Sequence, residues 1–555
     1  MTDAVRPGAN VLVVRAVDDA RDLEQPRGKQ DWSDEPHVIW YRRTSGIWRT
    51  VWLEPVPAAR IDRLALRPGD DLASVTVEAR LVGVHGPAAS LGLRFAVGGR
   101  LLADVTVACL SSTARVVVPL DHECLDVEPG ELLWSPESPT LIDVDATLRL
   151  NGEVVDQAES YLGLRTVGTD EENVLLNGHP YFLRLVLEQG YWPQTHLAAP
   201  SFEALEREAG LIKELGFNGL RMHQTSADPR FLACCDRLGL LVWADTAAAY
   251  RFSDVALTRT VAEAVSLVER DAGHPSVVAW VPFNESWGVP RLADDPAQQH
   301  AVTALHALLK ALDPTRIVMG NDGWQYTAGD VLGVHDYAQQ PGTLEDRYGS
   351  RERVRSTVAR GHTGGRRIAL ERSVSRAATV PVLLSEFGGL SVHEDAEAWA
   401  AYGDVIDLRR SGRRLPAWLP PSARAAASPA TATRNSPTRR RRRTACSPRI
   451  GSRRAPRPAS GSAARDPGDG LTSAIAMDRV ADDCRPTFSD AVLGVPERRR
   501  AMEVLIRVRG VLTVADLAAE FRVSRVTVRK DLRALVEAGS VHRFHGGAAR
   551  RRRPG

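Results

Sequence analysis

The sequence predicts a multidomain chain: a partial β-jelly roll, an immunoglobulin-like β-sandwich, an incomplete (β/α)8 barrel, a disordered linker and a winged helix-turn-helix. Three observations predict it. Short β-rich runs, punctuated by Gly, Pro and Asp, fill the first third of the chain. Strand and helix patterns then alternate as far as VPVLLSEFG at 380–388. A block of helical spacing returns at the end, after a stretch rich in Arg, Ala, Ser and Pro. At 555 residues there is chain enough for several cores.

Residues 1–56 contain NVLVVRAVD, HVIWYRR and GIWRTVWLEPV, in which aromatic and β-branched residues alternate with polar ones. This is too little chain to close a sandwich, so it reads as the later part of a jelly roll. Residues 57–168 add SVTVEARLV, LRFAVGG, ARVVVPL and DVDATLRLNG between turn residues, the spacing of an immunoglobulin-like sandwich. Over 169–408 the strand candidates are YFLRLVLEQG, FNGLRMH, GLLVWAD, VVAWVPFNE, RIVMGND, VLGVHDY and VPVLLSEFG. Amphipathic stretches such as SFEALEREAGLIKELG and AQQHAVTALHALLKALD lie between them. The alternation predicts a parallel sheet with outer helices, a (β/α)8 barrel one strand short.

Residues 409–490 form the expected linker. From 409 to 476 there is little to bury, and no acidic residue occurs between Asp407 and Asp466. Two readings are open: a disordered basic linker, or a segment translated out of frame between about Leu408 and Met477. Residues 491–555 hold ERRRAMEVLIRVRG, TVADLAAEF and VSRVTVRKDLRALVEAG, followed by VHRFHGGA, as a small helical domain with a β-wing.

The net charge of +2 hides an asymmetry, because arginine accumulates in the last third, which favours a nucleic-acid partner. The six cysteines form no CxxC pair and no zinc spacing. A reducing cytoplasm, no metal and no cofactor are expected. No apolar run approaches the roughly 20 residues of a membrane span, and no membrane partner is expected.

Chemistry concentrates at the ends of the barrel strands, where such barrels place their sites. Glu285 ends VAWVPFNE and Glu386 ends VPVLLSE. Two facing carboxyl groups can cleave a glycosidic bond, one protonating the leaving oxygen while the other attacks carbon or activates water. Strand-end glutamates are also common on surfaces.

The words around them carry a resemblance. HPSVVAWVPFNESWG and PVLLSEFGG resemble the acid/base and nucleophile segments of glycoside hydrolase family 2. GFNGLRMHQTSADPRFLACCDRLGLLVWAD resembles its second and third barrel strands. LWSPESPTLIDV resembles its sandwich motif, and TSGIWRTVWLEPV the end of its jelly roll. The resemblance covers about residues 10–407, short of the family's extent at both ends. It implies a retaining β-glycosidase acting on a β-glycoside, with Glu285 as acid/base and Glu386 as nucleophile. Asn284 would meet the sugar 2-hydroxyl. Arg221, His223, Asp245, His335 and Tyr337 would line the pocket, with Tyr337 holding Glu386 ionised. Trp324 and Trp287 would be sugar platforms or core. No Asn-x-Lys word lies near Glu386, which argues against a glucuronide.

In the tail, Thr513 and Ser524 are set as N-caps, and the second helix would enter the major groove by its N-terminal end. Ser524, Arg525, Thr527, Arg529 and Lys530 lie there, and His542 and Arg543 lie on the wing. Met502, Leu505, Ile506, Leu517, Phe521, Val528, Leu532 and Leu535 are the expected core. The stretch from Arg498 to Ala548 resembles the DNA-binding domain of DeoR-type regulators, most specifically in VSRVTVRKDL and HGGA. Double-stranded DNA is therefore the second expected partner, and the oligomeric state is left open. The functional expectation is a glycosidase fused to a DNA-binding regulator domain. The alternative is a fused remnant of two neighbouring genes in which only the DNA-binding domain works.

Overall fold

A computed structural model describes residues 4–388, less 38, 85–87, 121–128, 193, 339–340 and 364–365, together with most of 495–550. Contacts divide the chain into two compact units, Met1–Lys29 with Thr44–Arg479, and Gln30–Arg43 with Val480–Gly555. The expected linker and everything else between 389 and 494 lie outside the described residues.

In the first unit, seven strands build two facing antiparallel sheets: β1 (Arg60–Pro68), β2 (Ser74–Val82), β3 (Ala89–Val97), β4 (Arg100–Ala108), β5 (Thr113–Pro119), β6 (Ile142–Leu150) and β7 (Glu153–Leu162). Their orders are β1-β2-β5 and β4-β3-β6-β7. Inward residues alternate with outward ones, as in β6, and the inner faces meet through Val75, Val77, Leu91, Leu93, Phe95, Val144 and Leu148. Three short antiparallel strands, β8 (Val167–Thr169), β9 (Val174–Leu176) and β10 (His179–Pro180), lead to the barrel.

All seven expected barrel strands are present: β11 (Leu185–Glu188), β12 (Gly219–Met222), β13 (Leu241–Asp245), β14 (Val277–Val281), β15 (Ile317–Val318), β16 (Leu332–Asp336) and β19 (Val382–Phe387). Two dipeptide strands, β17 (His362–Thr363) and β18 (Arg366–Arg367), pair as a hairpin before the last of them. The barrel strands run parallel in the sets β11-β12-β13-β14-β15 and β16-β19. Every residue of β12, β13, β14 and β16 is buried, the mark of strands covered on both faces. The outer helices start where the sequence provides caps. Ser201 caps α1 (Phe202–Glu214), and Asp228 with Pro229 caps α2 (Pro229–Leu238). Ser253 caps α3 (Asp254–Asp271), and Asp295 with Pro296 caps α4 (Pro296–Leu312).

The sandwich grips the bottom of the barrel. Tyr161 Oη and His274 Nδ1 both reach Asp236 Oδ2, at 2.7 and 2.6 Å, and Trp134 Nε1 donates to Asp236 O at 2.8 Å. Arg165 and Arg316 each donate to Val277 O at 2.7 Å. Val277 opens β14, the strand that leads to Glu285, so these buried arginines fix its lower end.

One expectation fails. Among the described residues from 4 to 56 there is no strand, only an isolated bridge between Gln30 and Tyr41. Val11, Val13 and Val17 are 90%, 83% and 79% exposed. Alternation makes a segment able to form a strand, but the strand exists only when neighbouring backbone pairs with it. Residues 19–29 instead pack on the barrel.

In the second unit, the helix Arg525–Glu537 packs with an antiparallel sheet of β20 (Val511–Thr513), β21 (Val541–Phe544) and β22 (Gly547–Arg550), in the order β20-β22-β21. Met502, Ile506, Leu517, Val528, Leu532 and Leu535 form its core with Val514 and Val541, and Phe521 packs against it. Leu505 lies outside the described residues. None of the described helices is long and apolar enough to cross a membrane.

Candidate functional site

The strand ends bring seven of the expected residues into one hydrogen-bonded cluster. Arg221, which is 3% exposed, is its hub. Its Nε and Nη2 donate to the two carboxylate oxygens of Asp245 at 3.1 and 2.8 Å, and Nη2 also donates to Asn284 Oδ1 at 2.8 Å. Its Nη1 donates to Glu386 Oε1 at 2.9 Å and to Asp322 Oδ2. Tyr337 Oη donates to the other oxygen of Glu386. His335 lies between the two glutamates: Nδ1 is 2.8 Å from Glu285 Oε1, while Nε2 is 3.1 Å from Asp322 Oδ2 and 3.4 Å from Glu386 Oε1. Single atoms of Glu285, His335 and Glu386 all lie within 4.8 Å of one another.

The charges follow from this wiring. Burial pushes the Glu285 carboxyl up, but the His335 hydrogen bond and charge outweigh it, with help from Lys29 and Arg366, leaving it at about 2. Burial pulls His335 down, yet the charges of Glu386 and Asp322 and its own hydrogen bonds raise it to about 10. The resting site therefore holds an imidazolium against a carboxylate. Burial raises Asp322 too, and Arg221 and His335 bring it below its ordinary range. His223 is lowered, first by burial, and stays neutral. Its Nδ1 lies 3.5 Å from Asp245 and 3.7 Å from Glu386. The Glu285, His335 and Glu386 atoms are close enough to ligate one cation, but both His335 nitrogens are already engaged by carboxylates.

Local backbone strain presents Glu285. Glu285 and Ser286 have φ of 52° and 59°, a left-handed pair without glycine. The strain is held by Glu285 N donating to Asp322 O at 2.9 Å and Ser286 N donating to Asn321 Oδ1 at 3.0 Å. Gly323, at φ 99°, lets the loop press on His335, where a Cβ would sit 2.7 Å from Nδ1.

Asp322 was not among the expected site residues. It is fully buried and accepts from Arg221, His335 and Ser385 Oγ, the last at 2.5 Å. It ends the strand candidate RIVMGND, so the strand-end criterion that found Glu285 covers it as well. Trp324 is 6% exposed, with an edge against His335 and the Arg366 guanidinium 4.5 Å from its ring. It sits behind His335 as part of the wall. Trp287 is half-buried beside Tyr250, with ring centroids 5.1 Å apart.

In the second unit, Ser524 caps the helix through Thr527 N at 3.1 Å, and its Oγ lies 2.9 Å from Thr527 Oγ1. Arg529 and Lys530 are exposed on that helix. Arg525 falls in the helix and His542 and Arg543 in β21, with side chains outside the described set. Arg498 and Arg499 clamp the buried Asp531 at 2.7 and 2.8 Å and fix the helix to its neighbour.

Comparison with known proteins agrees with both halves. The sequence model of the glycosyl hydrolases family 2 TIM barrel domain matches residues 167–388, and that of glycosyl hydrolases family 2 matches 59–165. The DeoR-like helix-turn-helix domain matches 498–553. A putative β-glucuronidase of Formosa agariphila is 26% identical over 329 residues, which is 57% of this chain and 38% of that one. A β-galactosidase of Thermoanaerobacter pseudethanolicus is 26% identical over 273 residues, 47% of this chain and 35% of that one. The chain thus spans little more than a third of the length of these relatives. A GH2 β-galacturonidase from Eisenbergiella tayi, solved with glycerol, shares the fold at a TM-score of 0.51 and 20% identity, over 65% of this chain and 62% of that one. Residues 59–388 belong to glycoside hydrolase family 2, and residues 498–553 carry a DeoR-like helix-turn-helix domain.

Proposed function

We propose that the barrel hydrolyses β-glycosides with retention of configuration. The observation that carries this reading is the approach of one oxygen of Glu285 and one of Glu386 to within 4.8 Å, with His335 between them. Retaining enzymes need about 5–5.5 Å between the groups, and inverting ones leave room for a water. Glu386, oriented by Arg221 and Tyr337, attacks the anomeric carbon. The bond to the aglycone breaks, and Glu285 delivers a proton to the leaving oxygen. Water then attacks the same carbon, the ester bond to Glu386 breaks, and Glu285 takes the water's proton. Glu285 at about 2 holds no proton at neutral pH, but the His335 imidazolium 2.8 Å away does, so the pair acts as one proton store. Asn284, fixed by Arg221, faces the sugar 2-hydroxyl. Asp245 and His223 brace Arg221 and Glu386, and Trp324 backs His335. No cofactor takes part. The relatives are named for glucuronides, galacturonides and galactosides, which leaves the glycone open.

The test is the first-formed product of an aryl β-glycoside, followed by NMR before mutarotation. The β-anomer is expected, and a first-formed α-anomer would overturn retention.

For the second unit we propose that the helix Arg525–Glu537 enters the major groove of duplex DNA, with Arg529 and Lys530 as its exposed cations and His542 and Arg543 on the wing. A cytoplasmic setting fits both activities. Titration of the full chain against duplex DNA should give binding that weakens steeply with salt, and Arg529→Ala should reduce the slope of log K against log salt by about 1 if it meets phosphate. Binding that ignores salt would sink the proposal. A chain that binds DNA in this manner but hydrolyses no aryl glycoside would be the fused remnant.

A further inference from the structure

We propose that Asp322 is a positioning residue of the proton transfers: it fixes the Nε2 proton of His335, so that the proton exchanged with substrate is always the one on the Glu285 side of the ring. The inference rests on the glycosidase reading above and names what sets the pH dependence of that site.

The carboxylate is built into the strand ends. The Asp322 side chain is fully buried. Its Oδ1 accepts from Ser385 Oγ at 2.5 Å, while Oδ2 accepts from Arg221 Nη1 and lies 3.1 Å from His335 Nε2. Its backbone is tied to the segment after β14, because Asp322 N donates to Phe283 O and Glu285 N donates to Asp322 O, both at 2.9 Å. Gly333 of β16 makes the room. A Cβ there would meet Asp322 Oδ1 at 1.7 Å and Ser385 Oγ at 2.9 Å, so any side chain would push the carboxylate out of place.

The ring between the two carboxylates decides what this placement does. His335 Nδ1 is 2.8 Å from Glu285 Oε1, and Nε2 faces Asp322. An ionised carboxylate only accepts hydrogen bonds, and a neutral imidazole has only one N–H. With a carboxylate on each nitrogen, the ring is held as the imidazolium. The proton affinity of His335 agrees: burial lowers it, but the charges of Glu386 and Asp322 raise it further. Beyond these three carboxylates, Arg221 pairs with Asp322 and Glu386, Tyr337 donates to Glu386, and Arg366 lies over the Trp324 ring that edges His335. The charges of Lys29 and Arg366 also act on Glu285.

The three carboxylates are not equivalent. Glu285 gains and loses a proton in every cycle. Glu386, 3.4 Å from Nε2, loses its charge when it bonds the anomeric carbon. Asp322 does neither, because Arg221 and His335 hold it ionised against the effect of burial. Attack by Glu386 thus removes a negative charge beside the ring as the pair releases its proton to the leaving oxygen. Hydrolysis of the ester restores that charge as the pair takes a proton from water. Through both steps Asp322 keeps Nε2–H in place, as the carboxylate of a catalytic triad fixes the tautomer of its histidine.

The test compares the full chain with Asp322→Asn and Ser385→Ala. The pH profile of kcat/KM is measured for 2,4-dinitrophenyl and phenyl β-glycosides of whichever glycone among glucose, galactose and glucuronic acid the parent hydrolyses fastest. Asp322→Asn keeps the volume and removes the charge, so His335 gives up its proton more readily. The first step needs the protonated pair, so the alkaline limb should move to lower pH by about one pH unit. At pH 7 the phenyl glycoside, which needs the proton most, should lose about 10-fold more than the dinitrophenyl one. Ser385→Ala leaves the charge with one donor fewer, and the limb should move slightly to higher pH. Equal losses on both substrates with an unmoved limb would overturn the inference and leave the glycosidase reading intact. If Asp322→Asn does not fold, an unmoved limb in Ser385→Ala overturns it equally. Nitrogen-15 NMR of the histidine-labelled chain, with His335→Gln for assignment, reads the ring without turnover. Both ring nitrogens protonated at pH 7, with a proton lost at lower pH in Asp322→Asn, support the inference even in a chain that hydrolyses nothing, an outcome that sinks the hydrolase reading alone. A neutral His335 ring in the parent at pH 7 overturns the inference.

Discussion

Glu386→Ala lowers hydrolysis of aryl β-glycosides by about 10⁴-fold or more, the scale found when a catalytic nucleophile is removed. The carboxylate is the atom group that would bond the anomeric carbon. Arg221 donates to Glu386 Oε1 and Tyr337 to Oε2, so both oxygens are fixed in one plane. The truncation leaves Arg221 and Tyr337 facing a small vacancy. Azide entering that space attacks the carbon, the aglycone leaves with a proton from Glu285, and the product is an α-glycosyl azide. Glu285→Ala behaves differently. An activated aryl leaving group needs little protonation, so bond cleavage survives better than the second step, and added azide gives the β-product. The pair of stereochemical outcomes assigns the two roles. Unchanged activity in Glu386→Ala removes it as nucleophile, and an α-azide from Glu285→Ala exchanges the roles.

The barrel was legible because its strands are covered on both faces and so read as apolar runs: LVWAD and VVAWV are buried at every position. Glu285 and Glu386 were legible for the same reason, since a carboxylate following such a run has only the strand end to occupy. The sandwich showed through its alternation. The front segment misled because alternation in NVLVVRAVD reports the capacity to pair and not the presence of a pairing neighbour. The turn PRGKQ carries no readable pattern, because its placement depends on Gly28 meeting Gln224, almost two hundred positions away in sequence. Asp322 is not legible in RIVMGND, because MGND ends a strand with only two residues paired in the sheet, and the contacts of Asp322 come from Arg221 and His335 on other strands. In the second unit the helical core was readable from spacing, whereas the Arg498–Asp531–Arg499 clamp joins residues over thirty positions apart. Asp531 looks like a surface residue of the helix Arg525–Glu537 until that contact is seen.

Arg221→Met is expected to damage both stability and chemistry more than any other single change in the barrel core. Arg221 pairs with Asp245, Asp322 and Glu386, whose side chains are 1%, 0% and 9% exposed, and it is 3% exposed itself. Methionine keeps the stem's packing but leaves three buried carboxylates without their common cation. Replacing a buried pair wholesale can be harmless, but removing one partner strands the other, typically at a cost of about 3–5 kcal/mol. His335 stays beside Asp322 and Glu386, at 3.1 and 3.4 Å, so the largest loss falls on Asp245, both of whose oxygens accept from Arg221. The carboxylates respond by taking up protons, so the variant should lose most at neutral pH and recover stability as pH falls. The parent trends oppositely through this site, because Asp322 is held below its ordinary range and its contribution is lost on acidification. Arg221→Lys separates charge from geometry. One ammonium can meet one or two of these oxygens but not the forked set spanning Asp245, Asn284, Asp322 and Glu386, so stability should recover partly and hydrolysis should stay depressed. Urea unfolding followed by tryptophan fluorescence includes the barrel in its signal, since Trp243 and Trp280 are both buried in β13 and β14. A midpoint for Arg221→Met unchanged from the parent at pH 7, or full activity in Arg221→Lys, would show that the cluster is held by its backbone bonds and not by this arginine.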